Sequence, residues 1–462
     1  MSVARTDALT FSKNKAYHSL PWPKEISKIT VFTEVIGGLG DISAAAKVIK
    51  LLQRIEPSLT FNWIISSKTS YPEKFLKIEA SSNIIITKVK PKDLQPVESD
   101  FLVVGPVICS KETEEITTSP VPRFAFLENA IGQSFKSDSP SHEPDKGLVM
   151  GLEEGTGVLF DKTRIEAPLS GRVSCLSYLK EIEDPSLKHD LYKLLDCDDL
   201  EEIPDEGKFS INGGYAHKIS SWKKFITSVV IDEQEKDVVI VLNRNGYYGP
   251  RKLWDIQNEI VTDSFLSLLN TLGYCSITLL QEEERSIETF CSREETGRRV
   301  SVIMRPSFSP GDMRRLQLAS ERLLATGDNS AAEAWASRCK LYHYEIFSPI
   351  TKEKFLQQQI AVAKDIYTPL GELLDLVGSN DELSSVQMKE LFSLLQDPKL
   401  HEKTLAFCQY VTENYSFAEN LEGGLKRAAW NGVMPGVEDE GPLALCSRVE
   451  AFIESQRVPG GS

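Results

Sequence analysis

Residues 29–52 read ITVFTEVIGGLGDISAAAKVIKLL, and this stretch decides the fold class. Its first five residues, Ile29 to Thr33, are mostly β-branched or aromatic and predict a short strand. A glycine loop follows, and beyond it the apolar residues recur at helical spacing and form one face: Ile42, Ala45, Val48, Ile49 and Leu52. The stretch therefore predicts strand, glycine loop and helix, which is the opening unit of a Rossmann-like domain.

Two series of apolar runs extend this pattern along the chain. The first series has the length of buried strands, and its continuous apolar character favours a parallel sheet covered on both faces; the runs are 61–65, 84–87, 101–104 and 124–127. A helix over about 220–231 leads to the second series, with strands expected at 238–242, 276–280, 300–304, 322–326 and 340–344. Two α/β units in tandem are therefore expected.

Changes of texture set the expected domain bounds. We expect residues 1–220 to form an N-terminal Rossmann-like domain with a helical insertion at about 171–207. We expect residues 221–400 to form a C-terminal Rossmann-like domain, and residues 401–462 to be helices that pack back across both domains. Because ligands of open α/β sheets bind at the carboxyl ends of the strands, the loops after the strands are the places to search.

Composition excludes several classes of function. The 462 residues include 52 Lys and Arg against 67 Asp and Glu, which gives a net charge of −15 that would repel nucleic acids and anionic membranes. No stretch reaches the roughly 20 apolar residues of a membrane span, and residues 1–21 lack the apolar core of a signal peptide. We expect a cytoplasmic protein whose partners are neither nucleic acid nor membrane; export without a cleavable signal stays open.

The segment Gly327-Asp328-Asn329-Ser330 follows an expected strand and precedes an expected helix. Gly327 permits a sharp turn, and the backbone N–H groups of Asn329, Ser330 and Ala331 at a helix N-terminus suit a diphosphate. The alternative is structural: Asn329 or Ser330 caps the helix, and Asp328 is an acid of its first turn. Phosphate binding of this kind needs no metal.

The string Phe308-Ser309-Pro310-Gly311-Asp312-Met313, a strand, and then Thr326-Gly327-Asp328-Asn329-Ser330 resembles the donor half of the bacterial protein-arginine rhamnosyltransferases. These are inverting glycosyltransferases of the GT-B fold, so the resemblance implies a GT-B arrangement of the two Rossmann-like domains with a helical C-terminal tail. It implies that residues 1–220 bind the acceptor and that residues 221–400 bind a nucleotide sugar. It also implies a catalytic acid at Asp328, nucleotide contacts at Asn329 and Ser330, and an aromatic contact to the nucleobase at Phe308.

The first glycine loop resembles two families on its acceptor side. Asp41 matches an acid of the rhamnosyltransferase loop, whereas Gly37 stands where that family has a second acid. The string Gly37-Gly38-Leu39-Gly40-Asp41 also resembles the acceptor-side loop of starch and glycogen synthases. Both comparisons place Gly37, Gly38, Gly40 and Asp41 at the acceptor, and they leave open whether the acceptor is a protein side chain or a glycan.

An inverting transfer needs a carboxylate for the acceptor proton and donors for the departing diphosphate. Asp328 or Asp41 fits the first role, and Arg305, directly after an expected strand, fits the second unless it is a solvated surface arginine. Tyr215 and His217 could stack on or donate to a sugar, or belong to an ordinary turn. Tyr344 either borders the base or ribose or packs in the core.

Other chemistry finds weaker support. Asp196-Cys197-Asp198-Asp199 resembles a carboxylate metal motif, but it lies in an acidic run, so no metal and no cofactor are expected besides the nucleoside-diphosphate sugar. The main hypothesis is an inverting, metal-independent glycosyltransferase that moves a hexose or deoxyhexose to a protein or glycan. The alternatives are a sugar-nucleotide epimerase on the same fold and a catalytically silent protein that binds partners.

Overall fold

The chain forms two compact units, Met1–Phe160 with Tyr415–Ser462, and Asp161–Asn414. The computed structural model describes residues 17–35, 40–67, 83–93, 98–106, 121–127, 147–152, 156–158, 177–195, 208–244, 253–281, 285–292, 296–305, 308–346, 349–378, 382–434, 436 and 441–457. Among the helices in these ranges, none combines the length and the apolar character needed to cross a bilayer.

The described elements alternate between strands and helices over most of the chain. The strands are β1 (Lys28–Val35), β2 (Thr60–Ser67), β3 (Ile84–Val89), β4 (Phe101–Val104), β5 (Arg123–Leu127), β6 (Gly147–Val149), β7 (Phe209–Ala216), β8 (Asp237–Arg244), β9 (Tyr274–Gln281), β10 (Arg285–Phe290), β11 (Arg298–Arg305), β12 (Arg322–Thr326) and β13 (Leu341–Glu345). The helices are α1 (Gly40–Ile55), α2 (Ser177–Lys180), α3 (Pro185–Leu195), α4 (Ile219–Asp232), α5 (Leu253–Ile260), α6 (Asp263–Thr271), α7 (Pro310–Ala319), α8 (Asp328–Ala336), α9 (Pro349–Ile366), α10 (Thr368–Gly378), α11 (Ser385–Leu395), α12 (Leu400–Asn414), α13 (Ala418–Val433) and α14 (Pro442–Arg457).

The first unit is built on a parallel sheet with the order β3-β2-β1-β4-β5-β6. The chain runs from β1 to one edge, returns to β4 and continues to the other edge, which is the strand order of the Rossmann fold. The strands expected in this part of the sequence are all present. This sheet confirms the first Rossmann-like unit.

Helix α1 covers one face of this sheet with the residues that the sequence pattern assigned to its buried face. The C-terminal part of the chain completes the same core, because Phe417 and two leucines of α13 join it. Two backbone hydrogen bonds fix this return: Val158 N–H donates to the Tyr415 carbonyl at 2.8 Å, and Phe417 N–H donates to the Val158 carbonyl at 3.1 Å. The part of the chain that belongs to the first unit thus begins at Tyr415, whereas the C-terminal helical segment was expected to begin at residue 401.

The second unit contains a seven-stranded sheet with the order β10-β9-β11-β8-β7-β12-β13. All neighbouring strands are parallel except β10 and β9. Its part β11-β8-β7-β12-β13 repeats the Rossmann order, with β7 in the role of the first strand. The two sheets together confirm the expected α/β fold class with two Rossmann-like units.

The main difference from the sequence-based expectation concerns β7, which ends just before His217 in a segment that we expected either to contact a sugar or to form an ordinary turn within the first domain. It is a central strand of the second sheet, paired with β8 and β12. A Cβ atom at Gly213 would lie 2.7 Å from Ser320 Oγ, and one at Gly214 would lie 2.8 Å from Leu324 Cβ. Close packing explains both glycines. Because β7 and α3 share a core around Ile211, the boundary lies after Phe160 instead of at residue 220.

Candidate functional site

Each sheet has a point where the strand order reverses, and open α/β sheets bind ligands there, beyond the carboxyl ends of the strands. In the second sheet this point lies between β7 and β12, which end at Ala216 and Thr326. In the first sheet it lies between β1 and β4. In the second sheet, the structure describes the residues on both sides of this point. The point coincides with the glycine turn at Gly327 that the sequence pattern indicates.

Gly327 connects β12 to α8 in a conformation that suits glycine. Its φ is 80° and its ψ 157°, and a Cβ atom built on it would meet no atom of the described residues within 4 Å. At the start of a helix the first N–H groups have no acceptor within the helix, and they lie at the positive end of the helix dipole. Ala331 does not belong to this set, because its N–H donates to the Gly327 carbonyl at 3.0 Å. The turn can accept an anionic group close to the backbone.

The three residues after Gly327 differ in exposure. Ser330 is half-buried, Asn329 is buried, and Asp328 has no exposed surface. Burial raises the pKa of the neighbouring Tyr342 well above its usual range, and the negative charge of Asp328 acts in the same direction. The catalytic role of Asp328 stays a prediction, since its carboxylate is enclosed by the protein.

Glu345 at the end of β13 ties the two sides of this region together. Its buried carboxylate accepts the backbone N–H groups of His217 and Lys218, both at 2.8 Å. The Lys218 ammonium in turn donates to the Ile346 carbonyl at 2.9 Å. Burial raises the pKa of Glu345 against the lowering effect of these hydrogen bonds. The sequence pattern did not indicate Glu345, because an acid at the end of a strand gives no sign of the distant backbone N–H groups that it binds.

Tyr215 and His217 lie at the end of β7, beside the turn. The Tyr215 hydroxyl lies 3.2 Å from His217 Nε2, and the two rings meet edge to face. Burial, with the charge of Lys218, lowers the pKa of His217 to about 4. The imidazole is therefore neutral at pH 7 and can offer a hydrogen bond but no positive charge.

Arg305 was expected to face a diphosphate, but the structure compensates its charge within the protein. The side chain is 4% exposed and forms an ion pair with Asp190 of α3. Its Nη2 also donates to Ser186 Oγ at 3.0 Å. This pairing follows from the place of α3 over the end of β11, which the expected bounds had assigned to the other domain. Arg305 thus holds α3 to the sheet.

Two aromatic candidates lie in the core. Phe308 is buried against Leu316 and Ala319 of α7. Tyr344 is buried beside Phe355, with the ring centroids 5.7 Å apart. Tyr344 therefore packs in the core, which is the second of its two expected positions. Phe308 presents little surface to a ligand.

The string around Ser309 has a structural explanation. Ser309 caps α7, because its hydroxyl accepts the Asp312 N–H at 3.0 Å. The buried Asp312 carboxylate accepts the backbone N–H groups of Glu183, at 2.7 Å, and Asp184, at 3.3 Å. Local helix capping and the link to α3 thus account for these residue types without a ligand.

The remaining candidates belong to the first unit or lie outside the described residues. Gly40 begins α1, and no atom of the described part of the chain lies within 4 Å of a Cβ built on it; Asp41 is buried in the first turn of that helix. Gly37 and Gly38 lie outside the described residues, as does the acidic run 196–199. Among the His, Cys, Asp and Glu side chains that are described, no three are placed to hold a metal ion.

One family profile, described as "Protein of unknown function (DUF562)", matches residues 221–365. This segment begins in α4 and ends in α9, so it contains most of the second sheet and the Gly327 turn. No curated protein matches the sequence at a significant level.

Solved structures resemble the chain over most of its length at low identity. A glycosyltransferase from Rickettsia africae has 12% identity and a TM-score of 0.45, with 86% of this chain and 96% of that chain covered. A putative UDP-N-acetylglucosamine 2-epimerase from Listeria monocytogenes has 9% identity and a TM-score of 0.44, with coverage of 87% and 94%. UGT71G1 of Medicago truncatula, solved with UDP-glucose, has 11% identity and a TM-score of 0.41, with coverage of 93% and 98%. These values are too low to transfer an activity to this chain.

Proposed function

We propose that this protein is an inverting glycosyltransferase that binds a nucleoside-diphosphate sugar at the carboxyl end of its second sheet. One observation carries the proposal: the open turn at Gly327, with the N-terminus of α8 behind it, lies at the point where the strand order of that sheet reverses. Both features favour an anionic ligand at the same place.

The charges near the turn support a ligand whose diphosphate is held by backbone dipoles. His217 is neutral at pH 7, and the guanidinium of Arg305 is paired with Asp190. Asn329 and Ser330 of the first helical turn are the proposed donor contacts, with Tyr215 and His217 beside them. We propose that this arrangement works without a metal ion.

We assign the carboxylates of Asp41 and Asp328 to different parts of the transfer reaction. Asp41 in the first unit is the proposed acceptor-side residue, and Asp328 is the proposed acid behind the donor. The acceptor is a protein side chain or a glycan, and the transferred sugar a hexose or deoxyhexose. GT-B enzymes join two Rossmann-like units in one chain, which agrees with the two sheets of this protein.

A panel of UDP-, TDP-, GDP- and ADP-sugars in a thermal-shift assay tests donor binding. A ligand at about 100 times its dissociation constant adds about 2.7 kcal/mol to the stability, so one member of the panel is expected to raise Tm by several degrees. Transfer is then measured with the labelled donor and candidate acceptors, with and without a chelator. Activity that disappears with the chelator contradicts the metal-independent mechanism.

Two further measurements assign the reaction. Asp328→Asn keeps the shape of the side chain and is expected to lower kcat by at least about a hundredfold while the donor still binds. Full activity of this variant would remove Asp328 from the mechanism. Analysis of the products without an acceptor separates transfer from epimerisation, since an epimerase converts the donor alone.

A further inference from the structure

Two cysteines lie opposite each other at one end of an antiparallel hairpin. The hairpin consists of β9 and β10, and β10 is the outermost described strand of the second sheet. Phe290, the last residue of β10, is in register with Ser276, so the next pair along the two strands is Cys291 and Cys275. The Cys291 N–H donates to the Cys275 carbonyl at 2.9 Å, which continues the ladder to this pair. The two side chains therefore leave the sheet on the same face.

The spacing of such a pair is compatible with a disulfide. Hydrogen-bonded pairs of an antiparallel ladder have Cα atoms about 5.5 Å apart, and disulfides join Cα atoms about 4.4–6.8 Å apart. The Cys291 side chain also leans toward β9, since its thiol donates to the carbonyl of Tyr274, next to Cys275, at 3.0 Å. Burial raises the pKa of Cys291, and the charge of a Cys275 thiolate raises it further, as expected for neighbouring thiols. The two sulfur atoms can therefore bond without a change of strand register.

Exposure distinguishes this pair from a second pair of neighbouring thiols. Cys291 is half-buried and reaches solvent, and Cys275 is 2% exposed. In the second pair, Cys339 precedes β13 and Cys408 lies in α12, and their side chains form a hydrogen bond with each other. Neither Cys339 nor Cys408 has exposed surface. An oxidant in solution therefore reaches the first pair, at Cys291, and does not reach the second.

We infer that Cys291 and Cys275 form a reversible disulfide when the protein meets a peroxide. Hydrogen peroxide oxidises the Cys291 thiol to a sulfenic acid, and one water is released. The Cys275 sulfur then attacks the sulfenic sulfur, so that the S–S bond forms, the S–O bond breaks, and the hydroxyl leaves with the thiol proton as a second water. The two thiols together lose two electrons and the peroxide gains them. A dithiol such as dithiothreitol reverses the oxidation.

The disulfide fastens the outermost strand to the sheet. β10 is hydrogen-bonded to β9 and is last in the order of the described strands, and its Phe290 side chain is 56% exposed. An edge strand offers its backbone groups to other chains. A covalent link at Cys291 limits the separation of the two strands. The inference does not depend on the proposed function, because this hairpin lies at the edge of the sheet that is farther from the Gly327 turn.

Peptide mapping of the full chain tests the inference. The folded protein is treated with hydrogen peroxide, the remaining thiols are blocked, and tryptic peptides are compared with and without dithiothreitol. Cleavage after Lys and Arg places Cys275 in peptide 253–285 and Cys291 in peptide 286–293, so a disulfide between them appears as one reducible pair of peptides. We expect most oxidised chains to carry this pair, while Cys339 and Cys408 stay reduced.

Matched variants test whether the link is specific. Cys275→Ala is expected to leave Cys291 as a sulfenic acid that dimedone labels, whereas Cys339→Ala is expected to form the same link as the wild type. Oxidation should slow hydrogen exchange of the amides of 286–290 at least about tenfold in the wild type and leave it unchanged in Cys275→Ala. No link, a link formed only in urea, a preference for Cys339 and Cys408, or unchanged exchange in the linked wild type overturns the inference.

Discussion

The two ends of the second sheet are built on the same strands and differ in how they treat charge. At the amino-terminal end, Arg322 is 2% exposed and pairs with Asp232 at 2.5 Å and with Glu233 at 3.4 Å. Glu321 beside it pairs with Lys340 at 2.9 Å. At the carboxyl-terminal end, no described atom lies within 4 Å of a Cβ built on Gly327, and the buried atoms Arg305 Nε and Asn243 Oδ1 lack partners among the described residues.

We therefore expect the amino-terminal end of the sheet to contribute to stability and the carboxyl-terminal end to ligand binding. At the amino-terminal end, burial raises the pKa of Glu321. The hydrogen bond and charge of Lys340, together with the charge of Arg322, lower it more, so that the pKa of Glu321 is about 2. The described charged side chains at this end pair with one another. We propose that a ligand completes the contacts at the carboxyl-terminal end. Substitutions at the two ends should therefore change different quantities.

Arg322→Leu should have the largest effect. It leaves the carboxylates of Asp232 and Glu233 buried without their common partner, which costs about 3–5 kcal/mol of unfolding free energy. Urea unfolding at pH 7 measures this loss, and nucleotide affinity of the folded protein should stay unchanged. A loss below about 1 kcal/mol would show that the amino-terminal network does not hold the sheet together.

His343 of β13 makes stability depend on pH. Burial, with the charge of Lys224, lowers the pKa of His343 from 6.5 to about 3. The unfolded chain therefore binds a proton below about pH 6.5 that the folded protein rejects, and stability falls as the pH decreases, by up to about 1.4 kcal/mol per unit. Urea unfolding at pH 7, 6 and 5 should show a shallower fall for His343→Phe. Equal slopes for both proteins would contradict this assignment.

Local sequence patterns predict the parts of this fold that depend on local packing. The continuous apolar runs identify the central strands, and the helical spacing after Gly40 identifies the buried face of α1. The pattern fails at β7, because Gly213 and Gly214 look like a turn until Ser320 and Leu324 are seen to occupy the space of their side chains. It also fails at β10, whose sequence RSIETF is polar, as suits a strand at the edge of the sheet.

The candidate site also contains features that the local sequence predicts and features that it does not. A glycine between an apolar strand and a helix gives a local signal, and Gly327 lies at the expected turn. The environment of Arg305 depends on Asp190, which is 115 residues away in the sequence. Glu345 likewise binds backbone groups 127 and 128 residues away. No local pattern contains such partners, so charge compensation at the site could not be predicted.

Gly327→Ala tests the backbone conformation of the turn, because it adds only one methyl group. A side chain at φ 80° is strained, and we expect a loss of about 1–2 kcal/mol in unfolding free energy. Gly436→Ala is the matched control, since Gly436 of the first unit has a φ of 88° and a Cβ built on it also has no described atom within 4 Å. Similar losses in both variants would show that neither position has a special stabilising contact, and a much larger loss at Gly327 would contradict the open space around it.

Lys340→Met should have the smallest effect. Lys340 is partly exposed, and its partner Glu321 keeps two other cations, Lys236 at 3.1 Å and Arg322 at 3.6 Å. The expected loss is about 1 kcal/mol or less, and it should shrink in high salt because the ammonium reaches solvent. Urea unfolding in low and high salt checks this, and a loss as large as that of Arg322→Leu would contradict the shared network.

The most direct test of the account is a calorimetric titration of nucleoside diphosphates into three proteins: the wild type, Gly327→Val and Gly436→Val. Both substitutions strain the backbone alike, but only the first places a branched side chain in the space before α8. The account predicts that the wild type and Gly436→Val bind one nucleoside diphosphate with similar affinity, while folded Gly327→Val binds it at least about tenfold more weakly. Equal affinity of Gly327→Val, or no binding by the wild type, would contradict it.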